Sequence, residues 1–169
     1  MNCVWSNDTT DNKSIPWSIA VRKVEIPTVV TGLVYDGKEK TGIVDVDSVY
    51  CGVEGAKATN AGSHTATVNL NDSTNCCWTD NSTDSKKISW SIAKAKPEVV
   101  EAIQIIYYAN TGEFVKTAGK MNVEGSFQYS GSGNTAKFTP DDTTNYETVE
   151  VEVEVSTEAT VALPAMQID

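Results

Sequence analysis

Few residues in this chain could do chemistry, and their spacing narrows each of them. Four tryptophans, Trp5, Trp17, Trp78 and Trp90, offer the flat apolar faces on which a sugar ring stacks. Two of them sit in strict alternation: Trp17 lies between Ile15 and Ile19, and Trp90 between Ile88 and Ile92. On a strand each would share one face with two isoleucines, so Trp17 and Trp90 are expected in a core. Trp5 and Trp78 instead adjoin turns rich in Asn, Asp, Ser and Thr. That leaves two readings for them, an exposed ligand-binding face for glycan or cross-strand packing. Catalysis finds little support: His64 is the single histidine, and no nucleophile motif accompanies it.

Metal chemistry is equally thin. Cys3, Cys51, Cys76 and Cys77 lack the CxxC spacing of a zinc site, and the default reading is buried thiols. A bridge from Cys51 to Cys76 or Cys77 stays open, because spacing does not decide pairing. Asp45 with Asp47, and Asp141 with Asp142, fall short of the six to eight oxygen ligands of a calcium loop and read as solvated turns. No cofactor and no metal are therefore expected. Asp142 precedes Tyr146 by four residues, an arrangement like a tyrosine corner, in which the hydroxyl ties down the turn before it. Both are expected to be structural.

The elements that must hold these residues are strands. Valine and threonine each occur 20 times against three leucines, a bias toward pleated, half-buried surfaces. No apolar run approaches the roughly 20 residues of a membrane helix, so membrane insertion is not expected. The net charge of −10 argues against a phosphate backbone as partner. Most of that charge lies in residues 97–169, which hold 12 acidic and three basic side chains. Residues 42–50, 64–70 and 87–93 read as strands, and in residues 149–155 valines and glutamates alternate between two faces. Residues 97–106 begin with proline and glutamate, as a helix would, yet their β-branched content favours a strand.

Self-similarity organises the rest. Residues 3–20 match residues 76–93 at an offset of 73, pairing Trp5 with Trp78 and Trp17 with Trp90, and the offset continues through Glu25 with Glu98 and Tyr35 with Tyr108. Further on it becomes 70, with Asp72 to Cys76 facing Asp142 to Tyr146. The division that follows is a closing hairpin of a preceding repeat over 1–23, a whole module over 24–95, a diverged module over 96–163 and a linker or tail over 164–169. Ile15, Trp17 and Ile19 then present an apolar face that requires cover, from the next module or from another copy of the chain.

Residues 58–62, 65–70, 78–80 and 88–92 resemble immunoglobulin-like repeats of large bacterial surface proteins, and residues 138–146 resemble the closing motif of the related MBG-type modules. The resemblance spans nearly the whole chain, with two departures: Cys76 stands where the second copy has Tyr146, and the second module lacks the tryptophan pair. It implies an all-β fold of tandem immunoglobulin-like β-sandwich modules, a non-enzymatic stalk or adhesive role, and an extracellular or cell-surface location. The partners it implies are neighbouring repeat modules and host or cell-wall glycan or protein, with self-association through residues 1–23.

Overall fold

The computed structural model describes residues 14–158 together with Ser6, Thr10 and Asn12, and every regular element in them is a strand. The order is β1 (Arg22–Val24), β2 (Thr28–Val29), β3 (Lys40–Thr41), β4 (Ile43–Val44), β5 (Cys51–Glu54), β6 (Lys57–Ala58), β7 (Gly62–Leu70), β8 (Cys76–Trp78) and β9 (Lys86–Ile92). Then follow β10 (Val99–Tyr108), β11 (Glu113–Met121), β12 (Gly125–Gln128), β13 (Thr135–Pro140) and β14 (Val149–Glu158). The chain is all-β. No helix in the described residues is long and apolar enough to cross a membrane.

Two hydrophobic cores form, one from residues between Val24 and Ile92 and one from residues between Ile103 and Val153. In the first half a β5-β7-β9 meander is joined by three short pairs, β2-β4, β3-β6 and β1-β8. In the second a single sheet runs β11-β10-β14-β13-β12. Here β14 changes partner along its length: residues 149–152 pair antiparallel with β13, and residues 153–158 pair parallel with β10. Alternation explains its faces, since Val151 and Val153 are buried while Glu150, Glu152 and Glu154 are exposed.

Both halves bring an opening segment parallel to the closing strand, through the Val34–Ala93 bridge in the first and β10-β14 in the second. Their meanders share one register, for Thr65 faces Ser89 and the counterpart Thr135 faces Glu152. The connection between the partners is seven residues shorter in the second half. The missing stretch is the hairpin beyond Trp78, and the register places Val153 where the first half has Trp90.

Expected strands at 64–70 and 87–93 appear as β7 and β9, and residues 97–106 extend as β10 rather than coil as a helix. The run 42–50 differs: only Ile43–Val44 is strand. Asp45 adopts φ 62° and breaks the pleat. Asp47 then opens a turn, its carbonyl accepting from the backbone of Tyr50 and Cys51 at 3.0 and 2.9 Å. In β11, Gly119 at φ 93° passes so close to β10 that a Cβ would lie 2.2 Å from the Ala102 carbonyl oxygen. That close approach accompanies the register irregularities between the two strands.

Candidate functional site

The tryptophans come first, because they were the candidates for ligand contact. Trp78 is wholly buried, at 0% exposure. Its indole N–H donates to the Asp84 carbonyl at 2.8 Å, and its backbone exchanges hydrogen bonds with Ser82 and Asn81, so the hairpin 79–85 closes over the ring. This corrects the exposed-face reading: a ring with no free face cannot stack on a sugar, and Trp78 is a packing residue. Trp5 lies outside the described residues.

Trp90 is buried as expected, its indole N–H donating to the Gly55 carbonyl at 3.0 Å. Its ring rests on Gly42, where a Cβ would lie 1.9 Å away, and His64 stacks against it at 4.6 Å. Trp17 departs from expectation. It is 81% exposed, with Ile15 and Ile19 similarly open. The repeat explains why: Trp90 is covered because β9 pairs with β7, whereas no strand among the described residues pairs with residues 14–20. Among the described residues no later segment covers this face either.

Cys51, Cys76 and Cys77 are buried free thiols, and Cys3 lies outside the described residues. Burial, reinforced by Asp47, pushes the Cys51 thiol above its ordinary range. Among the described residues no three His, Cys, Asp or Glu side chains converge on a metal position. A groove of about 580 Å³ opens where β14 changes partner. Its walls carry Val99, Ile103 and Val153 with the carboxylates of Glu150, Glu152 and Glu154, and no aromatic ring lines it.

Polar groups are instead concentrated at the junction of the two halves. The turn from Asp142 to Tyr146 is built by one carboxylate: Asp142 Oδ1 accepts from the Asn145 backbone at 3.1 Å, and Oδ2 from the Asn145 side chain at 2.8 Å. The Asp142 carbonyl accepts from Tyr146 N–H at 3.1 Å, completing the turn. With its amide held this way, Asn145 turns its Oδ1 to the first half and accepts from the Ala61 backbone N–H at 2.8 Å. Asn145 is 6% exposed, the one buried polar residue among those described. Its Nδ2 also reaches Asn60 Oδ1 at 3.4 Å.

The connecting segment closes the same joint. Ala95 N–H donates to the Asn145 carbonyl and Glu147 N–H to the Ala95 carbonyl, both at 2.9 Å. Lys94 Nζ donates to the Thr143 carbonyl at 2.5 Å. Tyr146 meets Tyr35 of the first half edge-on, with ring centroids 5.4 Å apart. The tyrosine-corner expectation is thus corrected in its agent: Asp142 and Asn145 tie the turn, and Tyr146 supplies an aromatic contact across the joint. The Asn145 side chain, then its backbone, then Lys94 hold the Asp142 carboxyl below the usual carboxylate range. Asn145 was visible only as a match to Asn75; its reach into the other half was not.

The donors and acceptors of this arrangement satisfy one another across the two halves. The class that the fold defines is an all-β chain with two cores and a hydrogen-bonded joint between them. Comparison of the chain with protein-family models, curated proteins and solved structures finds no match.

Proposed function

We propose that this chain is a non-enzymatic segment of tandem immunoglobulin-like β-sandwich modules from a bacterial cell-surface protein, where it serves as a stalk or adhesive unit. The observation that carries the reading is the joint at Asn145. A buried side chain that satisfies a backbone N–H of the other half resists separation, because opening it strands polar groups from their partners. Modules that swivel freely would not place a buried amide there. The repeat of the Asp-x-x-Asn turn and of the parallel closing pair in both halves supports the tandem reading.

The glycan alternative rested on Trp78 and Trp5, and burial removes the first of these. Self-association through residues 1–23 remains part of the proposal, supported by the exposed row of Ile15, Trp17 and Ile19. A test separates the readings: tryptophan fluorescence followed during titration with millimolar host and cell-wall glycans. The stalk reading expects no saturable change, whereas a saturable shift lost on Trp5→Ala or Trp17→Ala would establish the glycan alternative.

A further inference from the structure

The turn at Asn145 has a twin at Asn75 that is built alike and left open. Asp72 Oδ1 accepts from the Asn75 backbone at 3.1 Å and Oδ2 from its side chain at 2.8 Å. Cys76 N–H donates to the Asp72 carbonyl at 2.9 Å, as Tyr146 does to Asp142. Arg22 N–H donates to the Asn75 carbonyl at 2.9 Å, as Ala95 does to that of Asn145, and residues 22 and 95 stand at the repeat offset of 73. Even the parallel pairing recurs, with Arg22 opposite Cys76 and Ala95 opposite Tyr146.

The twins differ in burial. Asn145 is buried because Asn60 and Ala61 of the preceding half cover it, whereas Asn75 is exposed and its Oδ1 accepts from no described residue. The matching region before Arg22 is residues 3–20, which repeat the closing segment of a module.

We infer that the Asp72 to Cys76 turn is a docking half-site for a further repeat of this kind joined ahead of Arg22, whose loop corresponding to Asn60–Ala61 donates a backbone N–H to Asn75 Oδ1. The occupant is a repeat because the turn's other bonds are those that hold a repeat at Asn145. This inference rests on the joint reading above. The contact differs from its twin in one respect, since Cys76 replaces Tyr146 and the aromatic contact to Tyr35 is absent. The polar clamp therefore carries the specificity, and a chance apolar surface would not satisfy it.

The experiment uses the full chain with residues 22–94 duplicated in tandem, so that Lys94 of the first copy precedes Arg22 of the second. Amide hydrogen exchange is read at Ala61, with Val68 as a core control for folding. In the unaltered chain Asn145→Ala should speed exchange at Ala61 by about tenfold or more. In the duplicated chain both Ala61 amides should be slow, and Asn75→Ala in the second copy should speed the first-copy Ala61 alone by a similar factor. A first-copy Ala61 that exchanges as fast as in the Asn145→Ala chain, while the second-copy Ala61 stays slow, overturns the inference and leaves the joint reading intact. An Asn145→Ala substitution without effect on Ala61 in the unaltered chain overturns both.

Discussion

The two halves share a meander and solve the problem of filling it in different ways. The first half has short strands, two to four residues in seven of its nine elements, all but β7 and β9, and packs two tryptophans among loops. Each indole N–H is bonded to a loop carbonyl, Trp78 to Asp84 and Trp90 to Gly55. The second half has ten-residue strands in β10 and β14 and fills its core with Ile103, Ile105, Phe138 and Val153. Where backbone ladders are short, large side chains that also hydrogen-bond can fix loops that the ladder does not reach. Where ladders are long, alternating β-branched residues and Phe138 fill the sheet face, and among the described residues only Tyr129 ties a loop in this way, its hydroxyl donating to the Gly133 carbonyl at 2.7 Å.

The largest expected effect strikes that contrast directly. Trp78→Ala and Trp90→Ala should each cost about 3–5 kcal/mol, the usual penalty for truncating a buried aromatic. The loss should unfold the first half while amides of β13 and β14 stay protected. Phe138→Ala should do the reverse. Urea melts with residue-level hydrogen exchange would check this, and equal loss in both halves from any one variant would mean that the cores are not separate. Gly42→Ala should follow at about 1–3 kcal/mol, because the new Cβ enters the Trp90 ring and the ring is pinned by its bond to Gly55. A shift in Trp90 fluorescence should accompany it.

At the joint, Asn145→Ala should cost about 1–2 kcal/mol by leaving the Ala61 N–H and Asp142 Oδ2 without their partner. Smaller still is the response to acid. Asp36, Asp72 and Asp80 in the first half and Asp142 in the second all titrate below the ordinary value of 3.8. For Asp36 and Asp80 the leading cause is a lysine, Lys40 and Lys86; for Asp72 and Asp142 it is an asparagine, Asn75 and Asn145. A carboxylate depressed on folding adds stability that is present above its unfolded value and is lost as pH falls through its folded one. Stability should therefore hold down to about pH 4 and decline below it, more steeply in the first half, which has three such groups. The lysine-paired Asp36 and Asp80 are exposed, so added salt should blunt their share of the effect and leave that of Asp72 and Asp142 largely in place. Glu152→Gln, on the outer face of β14, should change stability by less than about 0.5 kcal/mol, and a larger change in a thermal melt would mean that the alternation of β14 matters on both faces.

Much of the fold could be read from residue pattern. Val149 to Val155 alternated as a strand must, and the isoleucines flanking Trp90 placed it inside. Pattern failed where one residue's backbone decided the outcome: Asp45 in the left-handed region ended a strand that alternation alone would have continued. It failed again where burial depended on how a hairpin folds back or on which strand pairs with the residue's own. The polar residues around Trp78 left exposure and packing both open, and they form the hairpin that closes over it. Trp17 and Trp90 have the same local pattern and opposite exposure, because among the described residues only the Trp90 segment pairs with a strand. Asn145 is the sharpest case. Its Asp-x-x-Asn turn repeats that of Asn75, and the difference in burial lies in what the chain brings against it.

The central claim is that this joint makes the two halves one rigid unit, and residual dipolar couplings test it most directly. Amides of β7 and β9 and amides of β13 and β14, measured in one weakly aligned sample, should fit a single alignment tensor in the unaltered chain and two different tensors once Asn145 is replaced by alanine. Two different tensors in the unaltered chain would contradict the account.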